Sequence, residues 1–556
     1  MSQKKQGFVY GALILMLSNV IVKVVNALFK IPLSNAIGDT AMGYFSSAYS
    51  IYAMCFLIAT AGLPVAISRM IAAARARHNE KEVDTVYRIS LLIFLVIGAV
   101  GTAVLFFGSD LIATHLVEDP ALSLCIKAIS PIMFFVCLVS CIRGYFQGGQ
   151  NMTPTAISQV IEVLGNLVLG LTAGVLSSRA GHAPATVAAF TLAGVMLGMV
   201  ASSLYMAFAK WVAKKDREAG LCDVPCRSRK SLAKELISIA IPITISSSVL
   251  SLTSVIDSMM AVNRLGDLVG SVYFDVTSEN PVAITLYGAY MAKAVTLFNM
   301  PPTIIYPFAI SIIPAISSAD ATADRTKLRR TMDFTFRIVS VICLPCAVGL
   351  GVMAKPIIDL LFSSNEAIYL NADGTAFLSN GVVAPMLTVL ACAILFSGLI
   401  SVSGAMLQAS GHEKKSILST CFGVGAKALL VWVLVGLPKV GHLGIPLSTL
   451  ACYLVMFLFN MYFLRRYVDY TLSFRKVLLR PLIASALCGA AAGGSYLLME
   501  ALLPQKIATI LAIGLAVVVY VVALFLLRGF EKEDVLMLPK GELILRILQK
   551  LHLLKA

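Results

Sequence analysis

Apolar runs of about 20 residues alternate along the chain with shorter polar connections, without the residue-by-residue alternation of strands. A hydrocarbon core about 30 Å thick is crossed by about 20 helical residues. Fourteen stretches have the length and character of a span, at 8–29, 43–66, 88–108, 126–143, 155–176, 187–209, 236–262, 284–312, 337–354, 384–407, 417–437, 445–464, 481–501 and 507–527. Barrel strands would show segments of about ten residues with period two, so the pattern predicts an all-α, polytopic membrane protein.

Composition and charge sharpen this. Of 556 residues 58% are hydrophobic and 13% charged, and mean hydropathy is +0.88, which leaves too little polar surface for a soluble chain of this length. The basic residues concentrate at Arg69–Arg88, Lys210–Lys234, Arg325–Arg337 and Arg465–Arg480, which fall on one side of the membrane when the span count is even. The positive-inside rule puts that side, and both termini, in the cytoplasm. The net charge of +15 then reflects topology and anionic lipid headgroups, not nucleic acid. MSQKKQG leads into the first apolar run without an A-x-A-like site, so helix 1 reads as a retained anchor. Cys343 and Cys346 sit in the apolar run VICLPCAVG, unsuited to thiolate chemistry, and Cys222 and Cys226 have no second Cys pair or His nearby to complete a zinc site.

The chain also repeats itself. PVAIS at 64–68 ends helix 2 in this reading, and PAIS at 314–317 ends helix 8. Nineteen residues after each Ser comes an aromatic-Arg-Ile, Tyr87-Arg88-Ile89 and Phe336-Arg337-Ile338. GYFQGGQNMTPTAISQV at 144–160 echoes GAMLQASGHEKKSILST at 404–420. These matches predict two pseudo-symmetric six-helix lobes in parallel orientation. The division is an N-lobe at 1–215, a cytoplasmic linker at 216–235 and a C-lobe at 236–466. Helices 13 and 14 follow at 479–528, and a cytoplasmic amphipathic tail at 529–556.

Charges inside spans cost about 2.5–3.5 kcal/mol each and are functional candidates. They are Lys23 in helix 1, Glu162 in helix 5, Asp257 in helix 7, Lys293 in helix 8 and Lys427 in helix 11, with Lys30 at the outer end of helix 1. Lys23 and Lys30 share a helix face with Asn19 and Asn26, so helices 1 and 8 predict a basic, anion-binding cavity. Glu162 and Asp257 either neutralise buried lysines or couple transport to sodium or protons; an Asp257–Lys427 pair is expected in the second lobe. Pro301, Pro302, Pro307 and Pro314 predict a bent, mobile helix 8.

The runs GALILMLSNVIVKVVNALFKIPLSNAIGD, AYSIYAMCFLIATAGLPVAIS, GYFQGGQNMTPTAISQVIE and YGAYMAKAVTLFNMPPTIIYPFAISIIPAIS resemble the stage V sporulation protein B and polysaccharide-biosynthesis branch of the multidrug/oligosaccharidyl-lipid/polysaccharide exporter (MOP) superfamily. That branch is similar to the lipid II flippase MurJ. The resemblance implies the MOP-type fold, with two six-helix lobes plus two C-terminal helices. It also implies flipping of an undecaprenyl-pyrophosphate-linked, anionic glycolipid across a bacterial plasma membrane, in contact with membrane lipids and cell-wall synthesis proteins. MurJ-like cavities carry arginines on helices 1, 2 and 8. Here Lys23 and Lys30 sit at or near the helix 1 positions, Lys293 is about a turn from the helix 8 position, and helix 2 has no counterpart. Some relatives bind sodium at a helix 7 Asp, which matches Asp257, while Lys427 could supply a built-in cation there. Other readings are export of a different polyprenyl-linked polysaccharide unit, a MATE-like drug or cation antiporter, a scaffold for wall synthesis, or a polyprenyl-glycan enzyme. No D-x-D, H-E-x-x-H or P-loop is present and all six His fall in loops, so no catalytic or metal-binding residues and no cofactor are expected.

Overall fold

The computed structural model describes residues 8–60, 62–77, 79–215, 227–274, 281–303, 305, 316, 325–363, 366–370, 376–473 and 475–527; some side chains within these helices, that of Lys23 among them, are outside the described set. The expected spans fall largely on helix where they are described, with breaks at Gly62, at Ser130 and Pro131 and at Met353, and eleven helices among the described residues are long and apolar enough to cross a membrane. The linker residues 216–226, the tail from 528 onward, Pro307 and Pro314 lie outside the described residues.

The first compact unit comprises Met1–Ala292 and Glu366–Phe377. Its α1 (Phe8–Thr60) has 53 residues, about 80 Å if straight and more than twice the hydrocarbon core. Gly38, at φ 81 and ψ 172, breaks it into two arms carrying the first two expected spans. Only glycine takes that conformation without strain. The second arm starts at Asp39, whose N–H donates to the Glu366 carboxylate (3.1 Å), as does that of Thr40 (3.4 Å). An anion there satisfies orphan donors and complements the helix dipole. PVAIS opens a new helix instead of closing one: α2 (Leu63–Ala76) begins with Pro64 in its first turn, where a missing N–H is harmless. Asn79 caps α3 (Glu80–Phe107), its side chain accepting from the Glu82 N–H at 2.9 Å.

α4 (Ser109–Leu116) and α5 (Leu122–Ile129) lead past Pro131 to α6 (Ile132–Gly148). The next span is α7 (Thr153–Gly165), a π-helical turn at Asn166–Gly170 and α8 (Leu171–Arg179); it packs on α9 (Pro184–Lys215). Their contact is made of small residues: a Cβ on Gly165 would lie 2.5 Å from Gly198 Cα. The unit continues through α10 (Arg229–Ile256), a π turn at Asp257–Ala261, α11 (Val262–Gly266) and α12 (Val282–Ala289). The divide at Ala292 falls inside the eighth expected span instead of at the linker, for a packing reason. Gly43 and Gly288 bring α1 and α12 into backbone contact, and Gly62 does the same with Ala240 of α10. The sequence pattern did not reveal the short strands β1 (Ala367–Leu370) and β2 (Ala376–Leu378); Leu370 pairs with Phe274 by two backbone hydrogen bonds.

The second unit, Lys293–Asn365 and Leu378–Ala556, holds a helical run at 295–303, α13 (Arg325–Val352), α14 (Ala354–Leu361), α15 (Ser379–Ala409) and α16 (Glu413–Leu430). A π turn at Val431–Val435 and α17 (Gly444–Tyr467) follow, then α18 (Arg480–Glu500) and α19 (Gln505–Leu526). The last two pair through Cys488, Ala492, Ala508, Ala512 and Ala516 and lean on α13, where Tyr520 Oη donates to the Val341 carbonyl at 2.6 Å.

Candidate functional site

The Glu162 carboxylate inside the membrane is paired, but with a residue the sequence pattern did not single out. Arg143, on α6, donates through Nη2 to Glu162 Oε2 and through Nε to Ser158 Oγ, both at 2.9 Å. Ser158 and Glu162 are four apart on α7 and so share a face. Ser158 Oγ donates onward to the Thr155 carbonyl, which leaves its lone pairs toward the guanidinium. The pair is 17% and 24% exposed, neither sealed nor on the surface. α6 and α7 meet at the elbow 149–152, and the two charges lie about 8 and 14 Å along their helices from it. Arg143 closes the expected span 126–143 and reads there as an end residue; α6 continues past it to Gly148.

Lys293 is wholly buried, on the π turn Tyr290–Ala294. Its Nζ donates to Ser379 Oγ (2.6 Å) and Asn380 Oδ1 (2.8 Å), the first two residues of α15, so it sits level with a helix end instead of at mid-span. A helix N-terminus is a poor place for an ammonium. Asn380 offsets this: its oxygen faces Lys293 while its Nδ2 donates to Asp359 Oδ1 at 3.0 Å. Lysine only donates and aspartate only accepts, so the amide can point one way only, and it relays charge between them.

The remaining candidates lie on other elements. Lys30 and Asn26 are half-buried on the first arm of α1, whereas Lys23's side chain is outside the described set. Asp257 is buried in the first unit on its π turn, and Lys427 is buried in the second, one turn before the π turn at Val431. Pro301 and Pro302 are buried in the helical run 295–303. Thus Asp257 and Lys293 lie on π turns, while Glu162 and Lys427 each precede one by four residues. Such turns often mark functional positions because they break the regular hydrogen-bond ladder.

The basic ends of the two units hold aromatic and charged clusters. In the first unit Tyr87 packs edge-on against Tyr145 (5.2 Å), and Lys210 Nζ lies 3.1 Å from the Tyr145 ring centre. In the second, Phe336 stacks on Tyr470 (5.9 Å), whose hydroxyl donates to Asp333 at 2.6 Å. Glu82 is a buried anion held by Arg77 and Arg227, each at 2.8 Å; the hydrogen bond to Glu82 pushes the Arg227 guanidinium above its ordinary value.

Residues 8–320 match the model of a family described as polysaccharide biosynthesis protein, and residues 281–367 match a second model of the same description. Stage V sporulation protein B of Bacillus subtilis (strain 168) is 24% identical over 561 residues, 98% of this chain and 100% of the relative. The lipid II flippase MurJ of the same strain is 24% identical over 504 residues, 86% and 87% of the two chains. A solved structure of lipid II flippase MurJ in an inward closed conformation superimposes with TM-score 0.66 at 13% identity, covering 92% of this chain and 98% of that one. An inward-facing multidrug resistance MATE family transporter of the MOP superfamily does so with TM-score 0.64 at 16% identity, covering 82% and 99%. The fold is that of MOP-superfamily transporters.

Proposed function

Because the chain belongs to the polysaccharide biosynthesis protein family, we propose that it is a flippase carrying an undecaprenyl-pyrophosphate-linked, lipid II-like cell-wall precursor from the cytoplasmic to the outer leaflet of a bacterial plasma membrane. The observation that carries this reading is the alignment over most of the chain with relatives that include the lipid II flippase MurJ, together with the part-exposed cation Lys30 on a helix long and apolar enough to span a membrane. A pyrophosphate cannot cross about 30 Å of hydrocarbon unaccompanied. Cations held in a low-dielectric wall offset its desolvation far better than exposed ones. The cavity begins with Lys23, Asn26 and Lys30 on helix 1. The cycle is alternating access between the two lobes, with both termini cytoplasmic, a placement the distribution of basic residues supports. Asp257 and Glu162 are the positions at which sodium or protons would couple to it. The chain is a transporter, not an enzyme.

The test is movement of labelled lipid II in proteoliposomes of the pure protein, with Lys23→Ala and Lys30→Ala beside it. The expected result is transport by the wild type that falls about tenfold or more in the variants while the protein stays folded. A folded wild type that moves no lipid II under imposed sodium and proton gradients and a membrane potential would overturn the lipid II assignment.

A further inference from the structure

Arg143 pairs with Glu162 in a manner unlike the Glu82 and Arg88–Asp84 pairs of the first unit. Glu82 is sealed between two arginines, and Arg88–Asp84 is a surface pair four residues apart on one helix. Arg143–Glu162 joins two helices of the expected spans, is part-open, and uses only the Nε/Nη2 edge of the guanidinium. Among the described residues Nη1 makes no hydrogen bond. Arginine presents five donors in a planar fork suited to phosphate oxygens, so this guanidinium has unused donors beside a carboxylate that is only one of the anions it can hold. The aromatic side chains of Tyr49 and Tyr52, on the second arm of α1, lie within electrostatic reach of Glu162, and Tyr49 is exposed. The site thus offers a charged fork, an exchangeable anion and the exposed ring of Tyr49.

We propose that Arg143 binds the pyrophosphate of the lipid-linked cargo and that Glu162 is its resident competitor. A pyrophosphate carries more negative charge than a carboxylate and can engage two edges of the fork at once. When it arrives, the guanidinium exchanges Glu162 Oε2 for phosphate oxygen; when it departs, Glu162 retakes the cation, so Arg143 is never left uncompensated in the membrane. Binding is kept reversible by this exchange, which a transporter requires. The proposal rests on the flippase reading and assigns to it a residue outside the helix 1 lysines.

The experiment uses the full chain in phosphatidylcholine nanodiscs, titrated separately with undecaprenyl pyrophosphate, inorganic pyrophosphate and phosphatidylglycerol, with thermal unfolding recorded for each variant. Glu162→Gln is expected to tighten undecaprenyl pyrophosphate binding by about tenfold, because the competitor is gone. Arg143→Gln is expected to weaken it by a similar factor, the double variant to bind no tighter than Arg143→Gln, and Arg143→Lys, which keeps charge but loses the fork, to fall between. Should Arg143→Gln fail to fold, Glu162→Gln and Arg143→Lys carry the test. A folded Glu162→Gln protein with wild-type affinity overturns the proposal and leaves the flippase reading standing. Equal competition by phosphatidylglycerol reassigns the site to lipid headgroups and also overturns it. If neither the wild type nor Glu162→Gln binds undecaprenyl pyrophosphate, the flippase reading fails as well.

Discussion

Lys293 and Arg143 are both cations inside expected spans, yet the fold treats them oppositely. Lys293 is enclosed, with a hydroxyl, an amide and, through the amide, the Asp359 carboxylate arranged around it. Arg143 stays part-open beside a single carboxylate, with donors to spare. The difference teaches that an intramembrane charge is a functional candidate only until its partners are known. A cation whose acceptors are all built in is committed to structure, whereas one held by a single exchangeable anion can bind cargo.

The sharpest way to break this comparison is Lys293→Met. It strands Ser379, Asn380 and ultimately Asp359, and should lower unfolding stability by about 3 kcal/mol, read as a fall in the melting temperature of the detergent-solubilised protein. A variant as stable as wild type would show that Lys293 is not a structural cation. Asn380→Ala is expected to cost about 2 kcal/mol in the same assay, since it cuts the relay but leaves Ser379 as an acceptor. Glu162→Gln leaves the part-exposed Arg143 an amide oxygen to donate to, so it should cost about 1 kcal/mol, less than either change around Lys293, even while it changes ligand affinity. A large destabilisation there would erase the contrast with Lys293.

The smallest effect is a surface control at the end of the spans. The hydrogen bond from Ser123, with that of Lys127, holds the exposed Asp110 carboxyl below its ordinary value. A lowered folded pKa contributes stability that is present above the unfolded value of about 4 and is lost as pH falls through the folded value. The difference between wild type and Asp110→Asn should therefore shrink below about pH 4 in a melting series, and no comparable change is expected near neutrality.

Much of the fold was legible because a bilayer imposes a single rule, that every spanning backbone be helical and apolar for about 20 residues. The helical, membrane-spanning character of the chain follows from local pattern alone. The candidate site was legible only in part. Glu162 stood out because a carboxylate in an apolar run is conspicuous, but Arg143 did not, because a basic residue at the end of a hydrophobic run reads as an interfacial anchor. Lys293 is conspicuous in the same way, but its partners Ser379 and Asn380, more than eighty residues away, are not.

The sequence by itself thus determined the membrane class, the helical spans, the two-lobed echo and the set of charges that demand an explanation, because hydropathy and periodicity act through neighbours along the chain. Only the tertiary structure decided which charge meets which partner, where Gly38 and the π turns break the helices, and that Glu366 returns to cap Asp39 and Thr40. These depend on contacts between residues far apart in sequence, whose geometry is set by packing of whole helices and not by any local pattern.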